Sequence, residues 1–249
     1  DDLRINNRIP AHEPYAAIAP AFVHVNGGGG EVVLDSVTVF ANHAANSIVD
    51  WVFVELRDSA NPAIVVATRS ALLQRDGDVV DVDGSSLLVF SSSLPRAYYV
   101  AVRHRNHLGT MTAAPASLSA SGTLIDFTNL ATPLWDDGTN LNGFEQITIG
   151  SKFALWAGNV NANTTVVFAG QANDKDPIFN QVDQAPGNIF RSQTYVYNGY
   201  HRGDVNMNAR AVFAGQNNDV DPIFNNVDNH PRNIFRSQTF VIRQQLATQ

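Results

Sequence analysis

Two short runs of oxygen-bearing side chains have the spacing that wraps a hard cation. In GDVNMNAR, Asp204, Asn206 and Asn208 stand at alternate positions, followed by the backbone carbonyl of Arg210. Side-chain oxygens at alternate loop positions, then a main-chain oxygen, are how EF-hand-type loops hold calcium. That ion takes six to eight oxygens, so Asp219 and Asp221 of NNDVDPIF are the expected further ligands. The other run offers Asn159, Asn161, Asn163 and the Thr165 carbonyl, then Asp174 and Asp176. Lacking the first carboxylate, it predicts weaker binding. Both loops depart from a regular EF-hand: Ala209 or Thr164 stands where glycine is usual, and Gly215 or Gly170 where glutamate is. The competing reading is that these Asn and Asp side chains make turns and caps. Asp221-Pro222 itself reads as an N-cap with proline at the first helical position, opening a short helix through Ile223, Phe224 and Val227.

Groups suited to catalysis are fewer. RHRNHLG offers His104 and His107 at a strand end. A spacing of three on an extended strand sends the two imidazoles to opposite faces, which suits a single metal poorly. Asp76, Asp78, Asp81 and Asp83 surround Gly77 and Gly84 and read as turn residues as readily as ligands. There is no GxSxG elbow, and the Gly27–Gly30 run lacks the lysine and helix of a phosphate cradle. His12, His24, His43, His201 and His230 lie in unrelated contexts, and Glu13, Glu31, Glu55 and Glu145 are thin material for paired-carboxylate hydrolysis. The expectation is no enzyme.

The elements that must position these residues come in two kinds. Up to about residue 118 the chain reads as alternating strands: Glu31–Ala41, Asp50–Asp58, Ala63–Gln74 and Ala97–Asn106. Turn signals separate them, so this part, 1–118, predicts an antiparallel β-sandwich. Residues 119–157 read as a connector with strands. From 158 to 249 the chain is a duplication, with 158–196 recurring as 203–241 at an offset of about 45 residues. Phe168/Phe213, Ile178/Ile223, Phe179/Phe224, Ile189/Ile234 and Phe190/Phe235 recur in register and are expected to form the shared core of the repeats. Arg191 and Arg236 are expected to pair with Asp183 and Asp228. The fold class expected is mainly β, a sandwich followed by two tandem loop, short-helix and strand units.

Composition narrows the function classes. The 249 residues carry 16 Lys+Arg against 23 Asp+Glu and no cysteine. The acidic balance argues against a nucleic-acid groove, and the missing cysteines exclude disulfides and thiolate metal sites. No apolar run is long enough to span a bilayer.

In their GDVNxNxR, NDxDPIF and HPxNxF order, the repeats resemble the dockerin-like tandem repeats that end many large secreted proteins of Bacteroidetes-type bacteria. VDWVFVELRD, ATRSALLQRDGDVVDVDG, YYVAVRHRNHLGTMTA and LWAGNVN resemble the β-sandwich that precedes such repeats. The resemblance implies an extracellular or cell-surface location, calcium in the loops and no established catalysis. This chain has Asn159 and Asn163 where the resembling repeats have Asp, and Asn208-Ala209 where they have Asp-Gly. Asp35-Ser36-Val37 and Asp58-Ser59-Ala60 resemble the O-glycosylation triplets of such bacteria, so a glycan is an expected partner. The related modules carry a strand upstream of the DDLR segment. A sandwich without it has an open edge that a neighbour can complete by strand addition, from DDLRINNRIP or TFVIRQQLATQ. The leading expectation is therefore an extracellular, non-enzymatic structural protein, a self-assembling filament or surface-layer subunit with head-to-tail contacts. The alternative is a secreted carbohydrate- or protein-binding module with Trp51, Trp135 and Trp156 as candidate platforms, of which Trp51 reads as core and Trp135 lies in a loop.

Overall fold

A computed structural model describes residues 1–91, 93–138 and 144–247. The molecule is mainly β, built on one antiparallel sheet. Its strands are β1 Ile48–Asp58, β2 Val65–Gln74, β3 Val79–Val80, β4 Ala97–His104, β5 His107–Met111 and β6 Ala116–Ser117. The order is β3-β2-β1-β4-β5, with β6 also pairing β4. Strand β1 lies at the centre, where Phe53 faces Ser70 on one side and Arg103 on the other. The alternation expected for Asp50–Asp58 holds, and both faces are buried. Trp51 and Phe53 pack with Tyr15, Phe22, Leu3 and Val33, while Val52, Val54 and Leu56 pack with Tyr98 and Val100. The Asp76-Gly77 turn joins β2 to β3, and Gly77 has φ 102°, a conformation that costs glycine little.

Glu31–Ala41 differs from its expected strand. Ser36–Val39 forms one helical turn, and the side chain of Asp35 accepts from the Thr38 N–H at its start. Leu34 and Val37 stand exposed. Only the first residues of the segment pair, with Val32 bridging His12, and beyond them the Asp35 cap decides the local structure. Among the described residues of 1–118 the strands form a single antiparallel sheet. Leu88, Phe90, Leu118, Ile125 and Phe127 pack over its Val52–Leu56 face, from segments that add only the two-residue β6 and a bridge from Leu87 to Val80. The first residues form a helical turn, Asp2–Ile5, that buries Leu3 beneath the sheet. Both segments named as strand donors are therefore engaged within their own chain, since the C-terminal one pairs as described below. Of the connector, residues 139–143 lie outside the described part. The rest includes a hairpin of β7 Ile147–Ile149 and β8 Lys152–Ala154.

The repeats form one interlocked unit. Each contributes an inner strand, a helix and an outer strand: β9 Thr165–Val167, Lys175–Asp183 and β10 Tyr197–Asn198, then β11 Arg210–Ala211, Val220–Asp228 and β12 Val241–Arg243. The strands pair across the duplication, β12 with β9 and β10 with β11. The aromatic contacts are reciprocal too. Phe168 meets Phe224 at 5.1 Å, and Phe179 meets Phe213 at 5.2 Å. Ile178 and Ile223 fill the shared core as expected, together with Val182 and Val227. Gly158 (φ 119°) lies so close that a Cβ there would come within 3.1 Å of Ile223.

The β4–β5 turn plugs this unit into the sheet. Asn106 donates to the Arg202 and Asp204 carbonyls, and Arg105 lies 4.1 Å over the Tyr200 ring.

Candidate functional site: the paired repeat loops

The second loop closes on two buried carboxylates. Asp204 accepts from the Asn208 and Ala209 N–H groups, both at 2.9 Å. Asp219 accepts from Val205 at 2.7 Å, Asn206 at 3.1 Å and Val212 at 2.8 Å. Burial pushes the Asp204 carboxyl up to about 6 and that of Asp219 up to about 7, against the N–H groups that favour ionisation. The charge of Asp204 adds to the rise at Asp219, so the two carboxyls lie within electrostatic reach of each other. Asn206 ties the loop ends by donating to the Asn217 carbonyl. The Asn208 Oδ1 is buried and accepts no hydrogen bond. Ala209 has φ 68°, the left-handed backbone that glycine would supply in an EF-hand loop.

The first loop repeats this plan with one change. Asp174 accepts from Asn161 at 3.2 Å and Val167 at 2.8 Å, and burial pushes it up to about 7. Asn159, in the place of Asp204, donates to the Asn163 carbonyl and leaves its own Oδ1 buried without a partner. Asn163 accepts from the Thr165 N–H and hydroxyl. Thr165 and Arg210 open the inner strands, opposite Arg243 and Asn198.

The outermost expected ligands sit elsewhere. Asp176 and Asp221 lie exposed in the first helical turns, where each accepts from the preceding Asn173 or Asn218 side chain. The helix begins at Val220, so Pro222 is the third helical residue and not the first. Asn218 performs the capping instead, accepting from the Val220 and Asp221 N–H groups. The structure thus gathers Asp204, Asn206, Asn208 and Asp219 around one loop. Backbone N–H groups of the loop and of Val212, just beyond its closing strand, supply the hydrogen bonds that the two carboxylates accept. What they leave over is the bare oxygen of Asn208 in one loop and of Asn159 in the other.

A second feature of the repeats overturns an expectation. Ile189, Phe190, Ile234 and Phe235 are not core: they are 78, 87, 77 and 88 % exposed. Each Ile-Phe pair rides on a loop gripped by one asparagine. Asn188 donates to the Val182 and Ser192 carbonyls and accepts from the Ser192 N–H. Asn233 does the same with Val227 and Ser237. Arg191 and Arg236 follow at φ 51° and 50° and pair with Asp183 and Asp228, as expected. Side-chain type pointed to burial. The signal missed was the buried Asn and the Ser that bracket each Ile-Phe pair.

The remaining candidates resolve as follows. His104 and His107 meet across the β4–β5 turn with rings 4.6 Å apart, because the chain reverses between them and does not run on as a strand. Asp81 pairs with Arg69, and Asp83 accepts from Ser85 and Ser86. Glu13, His24 and Glu31 place ligand-type atoms within 4.8 Å of one another. Glu31 is already bound by Arg69, Ser70 and Gly29, and Glu13 by Tyr15 and Ser70. Trp51 is core, Trp156 meets His230 in a tilted ring contact at 5.0 Å, and half-buried Trp135 sets its edge on Tyr99 at 5.6 Å. Among the described residues no helix is long and apolar enough to cross a membrane. No protein-family model matches the chain, and no curated protein or solved structure matches it.

Proposed function

We propose that the chain is a non-enzymatic, self-associating structural module, an extracellular subunit of a filament or surface layer whose repeat loops are stabilised by calcium. The observation that carries this reading is the matched pair of exposed Ile-Phe prongs, held out by identical asparagine-gripped loops. Burying such a side chain is worth about 1.5–3 kcal/mol. A left-handed arginine costs about 1–2 kcal/mol. A loop that forgoes the first and bears the second, twice over, fits a surface built to be covered by something else. The resemblance to secreted modules is what supports an extracellular setting.

Calcium finds support in the second loop. Asp204 and Asp219 are buried there with no cationic partner in hydrogen-bonding contact, next to the bare Asn208 Oδ1. A divalent cation would neutralise the first two and engage the third.

The experiment is sedimentation velocity and electron microscopy of the purified chain over a concentration series, beside a Phe190→Ser/Phe235→Ser variant. Concentration-dependent assemblies that the variant fails to form are expected. A wild-type chain that stays monomeric at high concentration sinks the reading.

A further inference from the structure

Glu13, His24 and Glu31 converge beside β2 from separate turns of the N-terminal segment, and their ligand-type atoms lie within 4.8 Å of one another. The three side chains are 3, 12 and 6 % exposed. Arg69 pairs with Glu31 and also with Asp81, and among the described residues it is the one arginine or lysine paired with either glutamate. Three carboxylates thus share one guanidinium, which leaves two negative charges in a largely buried place. Buried charges are paired or hold a metal. Both glutamates keep ligand capacity: Glu13 Oε1 has only a long bond from the Ala16 N–H at 3.3 Å, and Glu31 Oε2 accepts from the Gly29 N–H at 2.9 Å. Outer hydrogen bonds of this sort aim ligating carboxylates without using all their lone pairs.

The imidazole supplies the independent observation. Thr68 Oγ1 accepts from the Val25 N–H at 2.8 Å and gives its own proton to the Val25 carbonyl at 3.3 Å. Its remaining lone pair faces His24 Nδ1 at 3.4 Å, which places the imidazole proton on Nδ1. The Gly27–Gly30 run closes over the ring, where a Cβ at Gly28 would lie 2.6 Å from Nδ1. Nε2 is thereby left bare: it is buried, makes no hydrogen bond and lies 3.4 Å from Glu13 Oε2. Two lone pairs that face each other in a buried place call for a cation. We propose that Glu13, His24 and Glu31 form a site for a divalent ion of the zinc type, which cross-links the N-terminal segment beside the central sheet of a chain that has no cysteine. An imidazole beside two carboxylates suits zinc, since calcium takes oxygens alone. The ion's charge matches the two uncompensated negative charges. Drawing the three atoms from within 4.8 Å of one another to a zinc ion at about 2.0–2.2 Å takes side-chain shifts of about 1 Å.

The test uses the full-length chain, stripped of metal with a chelator that is then removed, and zinc chloride as the probe. The pH is about 7.5, where an ordinary imidazole is neutral, and millimolar calcium keeps zinc from the repeat loops. Calorimetric titration is expected to show zinc bound at a one-to-one site, and melting curves a higher Tm with zinc than without. Glu13→Gln and His24→Gln are expected to lose both. Thr68→Val, which removes the partner of Nδ1, is expected to weaken binding about 10–100-fold. Should the ligand variants fail to fold, nuclear magnetic resonance of the wild type decides: zinc is expected to shift the His24 imidazole signals and leave those of His104 and His107 in place. Zinc bound without a change at His24, or bound as tightly by folded Glu13→Gln and His24→Gln, overturns the site. A wild type that takes up no zinc overturns it too, and makes a proton on Nε2 the cation that faces Glu13.

Discussion

His104 and His107 share a hydrogen bond between their Nδ1 atoms at 2.9 Å, across the turn that joins β4 to β5. Asp50 lies 3.0 Å from the other nitrogen of His104. Asp50 can only accept, so His104 carries its proton on Nε2 and offers a bare Nδ1 to the Nδ1–H of His107. The same His107 nitrogen lies 2.8 Å from the Asn106 side-chain oxygen, another acceptor. The geometry therefore leaves room for only one proton between the two rings.

Burial holds both imidazoles below the ordinary histidine range, His107 most strongly. In the unfolded chain they take up protons near 6.5. Their contribution to stability is therefore complete above that pH and is lost as the pH falls below it. Wild type and His107→Gln should differ in Tm at pH 8, and the gap should narrow towards pH 5. Melting curves across that range check this; a gap independent of pH would mean the ring acts by shape alone.

The loop carboxyls work in the opposite direction. Asp174, Asp204 and Asp219 titrate at about 7, 6 and 7 in the folded chain, against about 3.9 when unfolded. Their contribution is complete below the unfolded value and is lost as the pH rises through the folded ones. A bound cation should reverse that loss by holding the ionised form. Calcium should therefore raise Tm at pH 8 more than at pH 5, and Asp219→Asn should shrink the increment. Calorimetry with calcium and with chelator reads both, and equal shifts at the two pH values would favour turns and caps.

The prong loops depend on their asparagines. Asn233→Ala strips partners from the Val227 carbonyl and from both backbone groups of Ser237. The expected cost is about 1–3 kcal/mol, with faster proteolysis after Arg236. Urea unfolding and timed trypsin digestion measure the two effects. An unchanged digestion rate would show that the prong keeps its shape without the clamp.

Asp50 carries the junction between sheet and repeats. It accepts from Tyr200 at 2.6 Å and Arg105 at 2.5 Å as well as from His104, and the Arg105 charge helps to hold its carboxyl below the usual range against the cost of burial. Asp50→Ala leaves a buried guanidinium without its counter-charge and should cost about 3–5 kcal/mol. Asp50→Leu/Arg105→Met, which removes both charges, should cost less. Chemical denaturation of the two variants ranks them, and the reverse order would show that the ion pair itself contributes most.

Several of these features were legible in the residues. Strands β1, β2 and β4 were, because alternation with period two is imposed by the pleat wherever a strand is paired. The duplication and the Arg191–Asp183 and Arg236–Asp228 pairs were legible from spacing alone. The same alternation misled at Glu31–Ala41, where Leu34 and Val37 have no neighbour to cover them and Asp35 caps a helical turn. It misled again at His104 and His107, since a residue count says nothing of where the chain turns back.

The amino-acid sequence by itself determined that this is a cysteine-free β protein with a duplicated C-terminal half and carboxylate-bearing loops. Those properties are local, set by side-chain chemistry and periodicity. Only the tertiary structure decided that the repeats exchange strands, that Asp221 turns to Asn218 and not to the loop, and that Phe190 and Phe235 face solvent. Burial depends on what the rest of the chain brings alongside a residue. An isoleucine or phenylalanine looks the same in sequence whether the fold covers it or leaves it for another molecule.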